Sequence, residues 1–403
     1  MQNAAVPLIG RRGVGDGAVR VSVVLPCLNE AESVGRCVRE AISTLAAAGL
    51  PGEVVVVDNG SSDTSAEIAA EAGARVVKES RPGYGSALRA GIAAATGDIV
   101  VMADADVSYD LARIPDLVRP IIEREADLVL GTRDANGRSM PFLHRFIGTP
   151  LLTFLVSRAS GDRASSDSQS GFRAFRRDAI ASLRLRSTGM EFASEMLIKA
   201  ARAGWRIADV RTTYRPRVGQ SKLSTFRDGW RHLRLIVLLA PDLVLIWPGA
   251  AAALLGIVLA IWTLLDPAGI HVGSTSWQPV FFSTIALVVG VQAVLAGSVI
   301  AYQSSITAPH RRSAFVGSAR FLRCCTVGGL LAAAAGLVID AALFVLWVRG
   351  GPAPSRGPQL ASLAQGLIIV GVTALAFGFV TRLVINGRAH EEAMDDLPLE
   401  GAA

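Results

Sequence analysis

The chain has 403 residues, of which 51% are hydrophobic and 18% charged, with 40 Lys and Arg against 34 Asp and Glu for a formal net charge of +6. That length admits one large α/β domain and something more. The basic balance does not point to nucleic acid, because no basic-aromatic platform is present and much of the excess flanks apolar stretches, where anionic lipid headgroups are the better partner.

Residues 1–19 read as a disordered leader, and Arg11-Arg12 is followed by Gly-Val-Gly-Asp instead of an apolar run, so no cleavable signal is expected. Val21-Ser-Val-Val-Leu25 predicts a buried strand ending at Pro26, after which Asn29 is expected to cap a helix with Glu32 three places on. Glu53-Val-Val-Val-Val57 predicts a second strand closing on Asp58, and Ser61, Ser62 and Asp63 open a helix that runs to about Gly73. A third strand covers 75–78, a third helix 85–95, a fourth strand 98–103, a fifth 127–130, and a later one 171–176. Strands and helices alternate with short connections, the pattern of a parallel sheet with helices on both faces.

Asp58, Asp104 and Asp106 all fall at carboxyl ends of predicted strands, the edge at which open α/β sheets bind ligands. Asp104-Ala-Asp106 sets two carboxylates side by side, an arrangement relieved when a hard divalent cation shares their charge, and a diphosphate is the natural cargo of such a cation. Gly83-Tyr-Gly85 resembles a phosphate-cradling loop but lacks the third glycine of G-x-G-x-x-G, so its glycines either pass the backbone close to a nucleotide or pack the start of a helix. Cys27, Cys37, Cys324 and Cys325 lack metal-ligand spacing and are read as reduced structural thiols.

A membrane helix needs about 20 apolar residues, and the stretches 243–265, 279–302, 324–347 and 360–380 qualify. The segment between the second and third carries His310, Arg311, Arg312, Arg320 and Arg323, whereas the loop after Asp266 has no Lys or Arg before Trp277. Positive-inside reasoning puts the amino-terminal domain, the basic loop and the tail on the cytoplasmic face. Asp340 within the third span and Arg382 at the end of the fourth mark either a polar pathway or an interhelix bond and a snorkelling end. Before the spans, Arg227, Arg231 and Arg234 alternate with Phe226, Trp230 and Leu233, the composition of a helix lying in the headgroup plane.

Pro26-Cys-Leu-Asn-Glu30, Val57-Asp-Asn-Gly-Ser-Ser-Asp63, Ala103-Asp-Ala-Asp106, Gly131-Thr-Arg133, Asp167-Ser-Gln-Ser-Gly-Phe-Arg173 and Arg217-Val-Gly-Gln-Ser-Lys-Leu223 together resemble the family-2 glycosyltransferases, in particular the polyprenyl-phosphate branch that includes dolichol-phosphate mannose synthases. The resemblance implies a nucleotide-sugar-binding α/β domain of GT-A type. It places Pro26, Glu30, Asp58 and Asp104 on the nucleotide sugar, with Asp58 accepting from the base, and puts Mg²⁺ or Mn²⁺ on Asp106 with Asp104 beside it. Asn59 stands where the family usually has a second acid, and Ser108 where archaeal-type relatives carry a metal-ligating Gln, so a water is expected to complete the metal shell.

A lipid phosphate carries roughly −1.5 to −2 charge near neutrality and needs cations to hold it more than a base to activate it. Arg133, Arg145 with Thr149 one turn on, and Arg217 with Lys222 are the candidates, and the resemblance puts Arg133, Arg145, Thr149 and Arg217 on acceptor-phosphate positions. Asp167 joins Asp104 and Asp106 in the expected catalytic set, orienting the acceptor or a sugar hydroxyl, or else capping a turn. Of Glu191 and Glu195, the second matches the family's helix acid, or pairs with Lys199 at i,i+4.

The organisation expected is a leader over 1–19, a catalytic domain over 20–225, an amphipathic interface helix over 226–242, a membrane domain over 243–385 and a cytoplasmic tail over 386–403. The function expected is inverting transfer of a hexose from a nucleotide-diphosphate sugar to polyprenyl phosphate at the cytoplasmic leaflet of the cell membrane, by an integral membrane protein that can form homo-oligomers. The rivals are a processive polysaccharide synthase, disfavoured by the lack of Gln-x-x-Arg-Trp, and an inactive nucleotide-binding scaffold, disfavoured by the intact D-x-D.

Overall fold

The computed structural model describes residues 19–133, 156–158, 167–218, 225–266, 270–272, 275–304, 318–350 and 354–395. The chain divides into two compact units, Met1–Leu235 and Ile236–Ala403.

The first unit runs β1 (Val21–Cys27), α1 (Val34–Ala47), β2 (Gly52–Asp58), α2 (Ser65–Glu71), β3 (Arg75–Lys78), α3 (Tyr84–Ala94), β4 (Ile99–Met102), α4 (Ile114–Ile122), β5 (Leu128–Arg133), β6 (Arg173–Arg176), α5 (Phe192–Arg202) and β7 (Ile207–Thr212), and α6 (Thr225–Leu239) follows, running past the division at Leu235. Its sheet has the order β3-β2-β1-β4-β6-β5-β7. β1 pairs in parallel with β2 and β4, and the register sets Cys27 against Asp58 and Val24 against Met102, so the acids that follow these strands share one edge. Val24, Val55 and Val100 are as fully buried as Val23, Val56 and Val101, so both faces of the sheet are covered, as its continuous valine runs require.

The sheet is mixed where a parallel one was expected, because β6 runs antiparallel to both β4 and β5. Alternation of strands and helices fixes no direction for a four-residue strand, and the long stretch between Arg133 and Arg173 leaves either direction open. The consequence is functional: reversal brings the amino end of β6, with residues 167–172 just before it, to the same edge as Asp104.

Two expected helix starts also move. Asn29 does not cap α1; it sits at φ 51, in the left-handed region that asparagine tolerates, and its Oδ1 accepts from Ser62 N at 2.7 Å. α1 begins only at Val34, after Ser33. α2 begins at Ser65, whose N–H donates to Asp63 Oδ1 at 3.0 Å.

The second unit contains α7 (Trp247–Leu265), α8 (Val280–Ser304), α9 (Gly329–Val348) and α10 (Gly357–Asp395). Among the described residues four helical segments, Asp242–Leu265, Val280–Tyr302, Arg320–Val348 and Gly357–Leu383, are long and apolar enough to cross a membrane. They leave Leu254, Ile261, Phe281, Leu331 and Phe344 exposed, a surface suited to lipid rather than water. Thr284 and Ser362 hydroxyls meet at 2.6 Å and tie α8 to α10. Asp340 is half-buried on α9, and Arg382 is exposed on α10.

Candidate active site

The D-x-D pair leaves β4 at the shared edge with each carboxylate held by one of its oxygens. Asp104 Oδ1 accepts from the Tyr84 hydroxyl at 2.8 Å, and Asp106 Oδ1 accepts from the backbone N–H of Ser108 at 3.0 Å and from its hydroxyl at 2.5 Å. Burial first, and then the neighbouring Asp106 charge, push the Asp104 carboxyl up to about 6, outweighing the Tyr84 bond. Ser108, which stands at the expected metal-ligand place, therefore orients Asp106 from behind. Gly171 closes the other side of Asp104: a Cβ there would lie 2.8 Å from the Tyr84 Oη and 3.2 Å from Asp104 Oδ1, so a side chain at this position would push against the Tyr84–Asp104 contact.

Arg217 reaches the same place from the far end of the unit. Arg215 N donates to Ser108 O and Val218 N to Asp106 O, at 2.8 and 3.1 Å, laying residues 215–218 alongside the D-x-D turn. Arg217 Nε then lies 3.6 Å from Asp106 Oδ2, and its Nη2 lies 3.4 Å from Glu30 Oε1. Among the described residues the buried Nε makes no hydrogen bond, whereas Nη2 donates a long one to Glu30, so the cation stands between two carboxylates and is bonded only to Glu30. Expected on the acceptor phosphate, Arg217 thus borders the candidate metal position as well. Glu30 is braced by Ser33 Oγ at 3.3 Å and its N–H by Ser65 Oγ at 2.8 Å.

Asp58 is 8% exposed and its carboxylate accepts from Ser61 N at 3.0 Å. Pro26 is half-buried within β1, opposite Val57. The glycines of Gly83-Tyr84-Gly85 pack a helix start: Gly85 N and Ser86 N both donate to Thr188 O, at 2.9 and 3.2 Å.

Arg133, expected on the acceptor phosphate, and Asp167, expected to orient the acceptor or a sugar hydroxyl or else to cap a turn, bind each other. Arg133 Nε and Nη2 donate to Asp167 Oδ2 and Oδ1 at 2.6 and 2.8 Å, and Arg133 N adds a third bond at 3.2 Å. The guanidinium also lies over the Tyr214 ring, 5.3 Å from its centroid. Burial alone would raise the Asp167 carboxyl, but the bonds and charge of Arg133 hold it below the usual range.

Three contributors escaped sequence reading. Arg173 is fully buried, donating to Ser170 O, Ala193 O and Ser168 O at 2.8, 2.6 and 2.9 Å, and burial lowers its guanidinium to about 10. It fixes the 167–172 turn that carries Asp167 and Gly171. Tyr109 accepts from Gly171 N at 2.7 Å, and Tyr84 holds Asp104 as described. Only the place of Tyr84 between two glycines hinted at a role.

Glu195 takes the structural alternative. It pairs with Lys199 at 2.6 Å and accepts from Arg186 N and Ser187 N at 3.0 and 2.8 Å. Glu191 accepts from Gly189 N at 3.1 Å, and its buried Oε2 has no hydrogen-bond partner among the described residues. On α6, Trp230 is 67% exposed beside exposed Arg231, Leu233 and Arg234, while His232 is buried. Arg145, Thr149 and Lys222 lie outside the described residues.

The donor set suits a hard divalent cation. Each carboxylate has one oxygen fixed by a protein donor and a second outside that bond, the one on Asp106 lying 3.6 Å from Arg217 Nε, and Mg²⁺ is commonly bound by one or two carboxylates with water and substrate phosphate completing the shell. Among the described residues no cluster of three His, Cys, Asp or Glu forms a cage that would dispense with those further ligands.

Residues 22–184 match the family model described as glycosyl transferase family 2. The low-salt glycan biosynthesis hexosyltransferase Agl6 of Haloferax volcanii is 37% identical over 263 residues, which are 64% of this chain and 63% of that protein's length. The dolichyl-phosphate hexose transferase of the same organism is 36% identical over 179 residues, 44% of this chain and 76% of that protein. Among solved structures, glucosyl-3-phosphoglycerate synthase of Mycobacterium tuberculosis, in complex with Mn²⁺, uridine-diphosphate and glucosyl-3-phosphoglycerate, is 30% identical over 55% of this chain and 78% of that one, at a TM-score of 0.45.

Proposed function

The chain belongs to glycosyl transferase family 2, and on that premise we propose that it moves a hexose from a nucleotide-diphosphate sugar to a polyprenyl phosphate, inverting the anomeric carbon. The observation that carries this reading is the approach of Arg217 to within 3.6 Å of Asp106. It sets a cation able to hold an incoming phosphate directly beside the carboxylates able to hold a departing diphosphate. The similarity to a protein named dolichyl-phosphate hexose transferase supports the same acceptor.

In the proposed reaction an oxygen of the lipid phosphate forms a bond to the anomeric carbon as the bond from that carbon to the nucleotide diphosphate breaks on the opposite face. The attacking phosphate is already anionic, so no side chain has to remove a proton. Arg217 and Arg133 hold and orient it, with Asp167 acting through Arg133 by fixing the plane of its guanidinium. Asp58 accepts from the base, and Tyr84 and Ser108 orient Asp104 and Asp106. A divalent cation held by Asp104 and Asp106 would screen the charge that develops on the leaving diphosphate.

The four apolar helices and the exposed Trp230, Leu233 and flanking arginines of α6 favour a lipid acceptor over a soluble one. The basic segment between the second and third spans supports a catalytic domain on the cytoplasmic face of the cell membrane. The acceptor is tested by offering the detergent-solubilised protein a polyprenyl phosphate or the corresponding polyprenol with labelled donor. Transfer to the phosphate alone is expected; equal transfer to the alcohol would show that the arginines do not select the acceptor.

A further inference from the structure

Asn59, directly after Asp58, commits its whole side-chain amide to the chain. Both Nδ2 hydrogens are donated, to Glu79 O and Arg81 O at 2.8 Å each, and Oδ1 accepts from Gly83 N at 2.7 Å. An asparagine has two such donors to give, and neither is left for a ligand. An aspartate in this place would set a carboxylate against two carbonyl oxygens, with nothing to donate to either.

The loop thus gripped is also fixed from its far side. Gly83 has φ 132, and a Cβ there would lie 2.2 Å from Thr188 O, so the backbone runs tightly between Asn59 and Thr188. Glu79 N donates to Asp58 O at 2.9 Å, which fastens the start of the loop to the end of β2. The next residue after Gly83 is Tyr84, whose hydroxyl reaches Asp104 at 2.8 Å. One amide therefore sets the loop beside Asp58 and the helix start that braces the D-x-D. By contrast, among the described residues the Asp58 carboxylate accepts one bond, from Ser61 N at 3.0 Å, and retains lone pairs for a base.

We propose that Asn59 is a positioning residue that holds the Glu79–Gly83 loop as a wall of the nucleotide-base pocket, and that it does not read the base, which is left to Asp58. The proposal rests on the nucleotide-sugar reading of the site. It has two consequences: loss of the clamp weakens every nucleotide by the same factor, and the loop loosens even without a ligand.

The test uses the full-length protein in detergent, with Asn59→Ala and Asn59→Asp. Hydrogen exchange at the Gly83 amide, measured without ligand, is expected to be slow in the wild type and at least about tenfold faster in Asn59→Ala, which removes its acceptor. Affinities for UDP and GDP with Mn²⁺, by calorimetry, are expected to fall by about tenfold in both variants, as befits two lost hydrogen bonds, and by the same factor for the two nucleotides. Donor KM should rise by a larger factor than kcat falls, with acceptor KM unchanged. Asn59→Ser, which keeps one donor, serves if the other variants do not fold, and should show a smaller loss of the same kind. A UDP-to-GDP preference altered by more than about tenfold would mean that residue 59 reads the base, and unchanged affinity with unchanged Gly83 exchange would mean that there is no clamp. Either overturns the proposal while leaving the donor class intact. Failure of the wild type to bind any nucleoside diphosphate would instead overturn the donor class and the pocket with it.

Discussion

Asp167→Asn probes the pair on which the acceptor side depends. The wild-type carboxylate takes two bonds from the Arg133 guanidinium, at 2.6 and 2.8 Å, with side chains only 16% and 14% exposed. The amide keeps the shape and one acceptor oxygen but loses the charge and the second acceptor. One charge-assisted bond is worth about 1.5–3 kcal/mol, and stranding a buried partner costs up to about 3–5 kcal/mol; the residual exposure places this loss at about 2–4 kcal/mol. Asp167 is held below the usual carboxylate range in the folded protein. Its contribution is therefore complete above the unfolded value of about 3.9 and is lost only as pH falls through the folded one. Thermal unfolding of the full-length protein in detergent should show a gap between wild type and variant that is level from neutral pH down to about 5 and closes in stronger acid. Acceptor kcat/KM should fall by about tenfold or more with donor KM unchanged, because the arginine loses its fixed plane. A double-mutant cycle with Arg133→Ala that gives a coupling below about 0.5 kcal/mol would refute the claim that the two act as a unit.

Asp106→Ala should abolish both transfer and metal-dependent nucleotide binding, read by Mn²⁺-dependent calorimetry; turnover within about tenfold of wild type would remove this residue from the metal site. Arg217→Ala should worsen acceptor KM or kcat by about tenfold while nucleotide affinity barely moves, with Arg217→Lys rescuing only in part; loss of donor affinity with an unchanged acceptor KM would put Arg217 on the diphosphate. Away from the site, Glu53 is held at about 2: burial opposes its charge, but bonds from the Thr96 backbone and hydroxyl, Arg75 and Ser22 prevail. Glu53→Gln should cost about 1–2 kcal/mol at pH 7 after allowance for screening, and the gap should narrow as pH falls from the ordinary carboxylate range toward 2, which an acid series of melting curves would follow.

The edge of the sheet was legible because two valine-rich strands, β2 and β4, end on or just before acids, and strand ends in an open α/β sheet converge. The four apolar helices were legible for a similarly local reason, since length and hydropathy alone mark them. The direction of β6 was not, and with it went the position of residues 167–172 beside Asp104. Arg173 was missed because arginine is almost never fully buried, and nothing local shows that three backbone carbonyls await it. Arg133 and Asp167 were each found but not as a pair, since they stand on segments brought together only by the β5 and β6 pairing. The Asn29 cap failed because spacing cannot reveal a residue at positive φ, whereas the Glu195–Lys199 alternative followed directly from i,i+4 spacing on a helix.

In the proposed reaction a hexose passes from a nucleotide-diphosphate sugar to a polyprenyl phosphate at this site. Membranes containing the full-length protein, incubated with a panel of radiolabelled donors and extracted into organic solvent, test it most directly. Label should enter the lipid phase for one donor, require both added polyprenyl phosphate and a divalent cation, and disappear with Asp106→Ala. Label that accumulates instead in a water-soluble polymer, or that leaves no donor at all, would contradict it.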